Sequence, residues 1–353
     1  MGCGTTKLLK SPDDPSAYGP WPIGARTVQI PVGGVMMTVE VWYPGKPGSQ
    51  AGMTETSYDL RQFLGSNKGI VPDSDNKLMP CKNCYRDLPI DDAHGPYPAV
   101  IFVHGLFSIR VANLLANTLW ASRGFIVMAA DHPGLGLTDG ASCPGAMNGS
   151  LDITRDVTAE IKALTDATGS FAFLGKSVDV TRIGLSGHST GGGGVSGLGG
   201  KAGVQVIMPL APLAPSSPAG AGLKSVLFMT GIADSVTMFA PSETAYNSSS
   251  APLKRLVGIT GGDHMDVTDL CWQKNDKGKN SLEVGLQYNA CSGLLLVVNL
   301  FKCGTVDGPT STKSVGYVTT ATLEETLQCQ DRSKQFADLK AMYSIIGRFD
   351  HKP

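Results

Sequence analysis

"GLSGHSTGGGG", residues 184–194, sets one serine among glycines at the end of a short apolar run. Gly187-His188-Ser189-Thr190-Gly191 fits the pattern G-x-S-x-G, in which the serine sits on a sharp turn from a strand into a helix. Side chains two before and two after that serine would collide, and glycine at both places removes the collision. The further glycines to Gly194 let the following helix approach a sheet closely, and its N-terminal end favours negative charge near the serine. The stretch therefore predicts a nucleophile at Ser189. The competing reading is a plain glycine-rich turn.

The segments on either side have the same architecture. "YPAVIFVHG" from residue 97, "GFIVMAADHPG" from 124, "VQVIMPLAP" from 204, "KSVLFMTGIAD" from 224 and "LKRLVGITGGDH" from 253 are apolar runs ending in small or polar residues. Continuous runs suit strands covered on both faces, as in a parallel sheet with helices on either side. Helical stretches are expected at about 112–122 and at about 151–167, the second starting at Ser150 or Asp152 as N-cap. Strands alternating with helices predict an α/β protein. Before them, residues 26–45 alternate apolar and polar residues around Gly33 and Gly34, which predicts an antiparallel hairpin. Phe336, Leu339, Met342, Tyr343 and Ile346 are spaced for a closing helix. The expected organisation is a leader over 1–25 and one domain over 26–350. That domain carries a surface insertion at about 44–95, tied by Cys81 and Cys84, and a cysteine-rich extension from about 270.

A serine hydroxyl needs a base, and the base a carboxylate. Among six histidines, His188 lies inside the turn and reads as a wall of the site. His104 closes a strand long before the serine and reads as a prop for the loop that follows. His132 reads as structural, and His94 and His351 fall in a loop and a tail. His264 follows the last strongly apolar run, on a loop with Gly261 and Gly262, and is the expected base. Asp234 follows a strand between Ser189 and His264 and is the expected acid. Asp263 and Asp266 are rivals, but neighbours on one strand-end loop seldom orient each other's rings. The backbone amides of Thr190 and of Leu106 are expected to hold the oxyanion, with Phe107 the alternative to Leu106. Leu106, Phe107, Leu213, Met208 and Phe239 would offer an apolar cleft, and Phe107, His188 and Leu213 are the substrate contacts expected. For Met208 and Phe239, ordinary core packing is the competing reading.

Composition narrows the function classes. In 353 residues, 42 % are hydrophobic and 17 % charged, with a formal net charge of −1, which argues against a nucleic-acid partner. No run of about 18 apolar residues is present for a spanning helix. Eight cysteines lack metal-site spacing apart from Cys81 and Cys84, and no metal or organic cofactor is expected. Cys271, Cys291, Cys303 and Cys329 gather like disulfide partners of an oxidising compartment, with buried free thiols as the alternative. Gly2-Cys3 matches the end of a bacterial lipoprotein signal with Cys3 acylated. The same letters fit a myristoylation site at Gly2 with Thr6 in place; an arbitrary start is the third reading. The expectation is an exported monomer, anchored through Cys3 if lipid is added there.

With these motifs together, the chain resembles the α/β-hydrolase superfamily. "VEVWYP", "PYPAVIFVHG", "RGFIVMAADHPG" and "GHSTGG" look like the platelet-activating-factor acetylhydrolase and predicted dienelactone-hydrolase group. "GHSTGGGG", "PLAPL", "SVLFMTGIADSV" and "VGITGGDHMD" look like bacterial cutinases and polyester hydrolases. The resemblance covers roughly residues 27–270. It implies the α/β-hydrolase fold and a serine carboxylesterase acting on lipid-like or polyester bonds, with Ser189, Asp234 and His264 catalytic and Leu106 and Thr190 as oxyanion donors. A phospholipase A2-like acetylhydrolase is the alternative within enzymes, and a non-catalytic binding protein of the same fold the alternative outside them. The chain departs from the relatives where Leu106 replaces an aromatic residue and Leu213 a tryptophan. It also has serine, not the cysteine of dienelactone hydrolases proper, at 189.

Overall fold

The computed structural model describes residues 7–64, 69–76, 78–140, 150–280, 283, 284, 287, 288 and 303–352. Cys3, Gly2, Thr6 and Cys291 lie outside them. The hairpin is formed by β1 (Ile23–Val32) and β2 (Val35–Pro44), paired from Ile23 against Pro44 to Val32 against Val35. Residues 44–95 supply a small antiparallel pair, β3 (Ser57–Asp59) with β4 (Leu78–Pro80), and a strand, β5 (Cys84–Arg86), that extends the main sheet beside β1. Tyr58, Leu60, Phe63 and Met79 of this segment are buried. It thus adds to the core although no apolar period announces it.

Then follow β6 (Tyr97–Val103), α1 (Leu114–Ser122), β7 (Ile126–Ala130), α2 (Leu137–Gly140), α3 (Ile153–Asp166), β8 (Val178–His188) and α4 (Thr190–Ser196). The chain continues through β9 (Val204–Leu210), β10 (Ser225–Gly231), α5 (Phe239–Ser248) and β11 (Leu253–Ile259). Among the described residues the main sheet has ten strands, in the order β12-β11-β10-β9-β8-β6-β7-β2-β1-β5. The six from β11 to β7 run parallel, with β2 antiparallel to β7.

Alternation within each apolar run feeds two cores. In β6, Val100 and Phe102 pack with Trp120 of α1, while Ala99, Ile101 and Val103 join Val157 of α3 and Val195 of α4 on the opposite face. Both faces are covered, which is why these strands read as unbroken apolar runs. At α3, Asp152 is the N-cap, its carboxylate accepting from the Arg155 amide at 2.9 Å.

The C-terminal region departs from expectation in two ways. A helix, α6 (Gly308–Leu327), was hidden by its composition: it is rich in threonine, a poor helix former, and is buried on most sides, so no amphipathic stripe marks it. Its start signals are Asp307, which accepts from the Thr310 amide at 3.1 Å, and Pro309 behind it. The expected single closing helix breaks at Asp338 into α7 (Ser333–Ala337) and α8 (Leu339–Met342), and residues Ile346–Lys352 form β12, antiparallel to β11. Phe336, Leu339, Tyr343 and Ile346 are buried as their spacing suggests, but Met342 is exposed. As an edge strand β12 has little apolar alternation and carries Arg348, Asp350 and Lys352, charges that discourage further pairing.

Cys81–Cys84 and Cys271–Cys303 are disulfides, with Cα atoms 5.3 and 6.0 Å apart. Among the described residues no helix is long and apolar enough to cross a membrane. A buried ion cluster fixes α6 against α1: Glu324 bonds Arg123 Nε at 2.8 Å and Arg332 at 2.6 Å. Replacing Glu324 by leucine leaves two buried guanidiniums without a counter-charge. The expected cost is about 3–5 kcal/mol, read from the midpoint of urea unfolding. Burial also pushes the Asp269 carboxyl up to about 7, although the Leu115 amide, donating at 2.6 Å, pulls it down. A folded-state value above the unfolded value of 3.8 means stability that is complete below about pH 4 and lost as pH rises through 7. Asp269→Asn should flatten this decline when unfolding midpoints are compared between pH 4 and 8.

Candidate active site

Three parallel strands, β11 and β10 side by side and β8 beyond β9, end at the same end of the sheet and deliver three side chains. Ser189 follows β8 directly, Asp234 lies three residues beyond β10 and His264 five beyond β11. This is the edge of an open α/β sheet where ligands are generally bound. Ser189 adopts φ 55° and ψ −121°, a conformation that side chains rarely take. A Cβ at Gly187 would stand 2.7 Å from the backbone of Gly191, and one at Gly191 would stand 2.2 Å from the Val103 carbonyl. At Gly193 and Gly194 it would meet the Leu213 carbonyl at 1.9 Å and Ile153 at 2.4 Å. The glycine run is thus set by close approach to β6, to the 211–213 loop and to α3.

Ser189 Oγ lies 2.9 Å from His264 Nε2, and His264 Nδ1 lies 3.1 Å from Asp234 Oδ2. All three residues are buried. With Nδ1–H donating to the carboxylate, Nε2 is left to accept from the serine hydroxyl. Asp234 is held by the amides of Val236 and Thr237 at 2.8 and 2.7 Å on its other oxygen. Burial opposes its charge, but His264 and Thr237 outweigh burial and hold the carboxyl below its ordinary value. The rivals serve the turn. Asp263 accepts from the amides of Ser235 and His264, both at 2.8 Å, and Asp266 from those of Asp263 and Gly304, both at 2.7 Å. Neither carboxylate bonds the imidazole.

His188 Nε2 lies 3.0 Å from the His264 carbonyl, so that nitrogen carries the proton and donates. Its ring packs 4.7 Å from that of His264. Burial, with the His264 ring adding to it, pushes His188 down to about 3, and it stays neutral beside the site. His104 Nδ1 bonds the Gly105 carbonyl at 2.7 Å, at the head of the loop that carries Leu106. His132 is buried and pairs with Asp156 at 3.3 Å.

A cavity of about 240 Å³ opens over Ser189, lined by Gly105, Leu106, Ser108, Leu213, Val236 and Met265 together with His188, Thr190 and His264. The amides of Leu106 and Thr190 have no acceptor among the described residues, as expected for Thr190 at a helix start. The Phe107 amide donates to the Leu135 carbonyl at 2.8 Å, and Phe107 takes φ 59°. Phe107 therefore neither presents a free amide nor lines the cavity, contrary to the expected substrate contact. Met208 is core in β9, and Phe239 starts α5 away from the cavity. Sequence reading missed Val236, two residues after Asp234, and Met265, which directly follows His264. It also missed Thr237, whose hydroxyl lies 2.8 Å from Asp234 Oδ2, 3.0 Å from the Ala211 carbonyl and 3.2 Å from His264 Nδ1. Among the described residues no group of three or more His, Cys, Asp or Glu is placed to hold a metal ion.

The arrangement can deprotonate a hydroxyl and present two amides to a developing oxyanion. Thr237→Val should lower kcat of any reaction at Ser189 about tenfold, equivalent to about 1.4 kcal/mol, with the thermal midpoint little changed. Steady-state kinetics and a thermal melt read the two. No protein-family model and no curated protein matches this chain.

Proposed function

We propose that the chain is a serine carboxylic-ester hydrolase of the α/β-hydrolase type. The observation that carries this reading is the unbroken series Ser189–His264–Asp234, at 2.9 and 3.1 Å, beside the amides of Leu106 and Thr190, which have no acceptor among the described residues. Ser189 Oγ attacks the ester carbonyl as His264 takes its proton, and the two amides receive the oxyanion. His264 returns the proton to the departing alcohol, leaving an acyl-enzyme. Water activated by the same imidazole then hydrolyses it. Asp234 keeps the imidazole in the required tautomer throughout.

The substrate reading is an aliphatic ester, lipid-like or polyester. Leu106, Leu213, Val236 and Met265 line the cavity with aliphatic surface, and among the described residues no phenyl or indole ring lines it to clamp an aromatic acid. At about 30 Å³ for a water-sized group, the cavity admits a short acyl chain, and Leu213, which lines it, is half-exposed. The same small volume favours the second reading, a phospholipase A2-like acetylhydrolase. Two disulfides support an exported enzyme.

A fluorophosphonate probe should label Ser189 and fail to label Ser189→Ala; an adduct that survives the substitution sinks the assignment, and no adduct on the wild type favours a binding protein. Across p-nitrophenyl esters the rate should peak between acetyl and butyryl and fall steeply by octanoyl. Turnover restricted to acetyl esters and a short-chain phospholipid would select the acetylhydrolase.

A further inference from the structure

Residues 303–305 come back from the cysteine-rich extension onto the turn that carries His264. One oxygen of Asp266, which is buried, accepts the amide of Asp263 and the amide of Gly304, each at 2.7 Å. The Thr305 amide donates to the Gly261 carbonyl at 3.0 Å. Cys303 is tied by its disulfide to Cys271, seven residues after His264. Gly304 is demanded by proximity: a Cβ there would stand 2.1 Å from the Gly261 oxygen, 2.6 Å from Asp266 Oδ2 and 2.7 Å from the Asp263 nitrogen. The turn from Gly261 to Asp266 is thus gripped from two sides. Asp263 fastens it to Ser235, beside Asp234, and Asp266 fastens it to the extension. Gly261 itself takes φ 71°, a left-handed conformation that glycine adopts at little cost.

Resting on the reading of Ser189, His264 and Asp234 as catalytic, we propose that Asp266, Gly304 and the Cys271–Cys303 disulfide form a clamp that positions His264. The extension then belongs to the catalytic apparatus. His264 must keep hydrogen-bond distance to Ser189 on one side and Asp234 on the other, and a displacement of about 1 Å costs on the order of a hundredfold in rate. None of Asp266, Gly304, Cys271 and Cys303 lines the cavity, so loss of the clamp falls on kcat and leaves KM nearly alone.

The test is steady-state hydrolysis of p-nitrophenyl butyrate by the full chain, with rates divided by the sites titrated with fluorophosphonate. Asp266→Ala, Gly304→Ala and the double variant Cys271→Ser/Cys303→Ser should each lower kcat at least tenfold with KM within threefold of wild type. Asp266→Asn retains an oxygen for both amides and should stay within threefold of wild type in kcat. Should Asp266→Ala not fold, the Gly304→Ala variant, which adds one methyl group, decides in its place. Unchanged kcat in Gly304→Ala or in the double cysteine variant, or a loss that appears only in KM, overturns the clamp while leaving the site reading intact. A wild type that neither labels nor turns over overturns the site reading and the clamp together.

Discussion

At Gly187 and Gly191 there is no room for a single carbon beyond the backbone, and the site is organised around that contact. It brings the end of β8 against α4 and pushes Ser189 out of the sheet into a conformation that would not persist alone. The surroundings over-determine it: the Ser189 amide donates to the Leu210 carbonyl at 3.0 Å, and the Ser189 carbonyl accepts from Gly193 and Leu213, each at 2.9 Å. Neighbouring β6 and β9 close the turn from both sides, and the loops that follow β6, β10 and β11 line the cavity around the serine.

Around this turn, four carboxylates gather backbone amides at the same end of the sheet, Asp234 and Asp266 buried and Asp131 and Asp263 partly so. Asp131 accepts from the Arg110 amide at 2.9 Å and pairs with its guanidinium, steadying the loop that carries Leu106. Asp234 holds Val236 and Thr237, Asp263 joins the Asp234 loop to the His264 loop, and Asp266 joins the His264 loop to the extension. A carboxylate with two acceptor oxygens can bridge separate loops at once, and charge-assisted bonds in a buried setting are strong enough to fix their spacing. His188 complements them as a neutral donor to the His264 carbonyl.

Much of this was legible in the chain. The order of Ser189, Asp234 and His264 on three strand ends, the antiparallel hairpin and the helix at 153–166 all follow from local patterns, since strands covered on both faces write long apolar runs and an amphipathic helix writes a stripe; the helix at 114–122 is legible from its place between two such runs. Less legible were α6, β12 and the buried part of residues 44–95. A helix buried on most sides has no polar face to show its period, and a charged edge strand has little apolar alternation. Their places are chosen by the partners they cover.

The sequence by itself determined the glycine turn at Ser189 and singled out His264 and Asp234 as its hydrogen-bonded companions, because a turn without room for Cβ atoms can be met only by glycine and a serine–imidazole–carboxylate series only by a few residue types. The tertiary structure alone decided which of Leu106 and Phe107 offers a free amide, which residues line the cavity, and what Asp263 and Asp266 do. Those outcomes depend on contacts between segments far apart in the chain. An amide is free or engaged according to what a distant loop places opposite it: the Leu135 carbonyl takes the amide of Phe107, and nothing among the described residues takes that of Leu106.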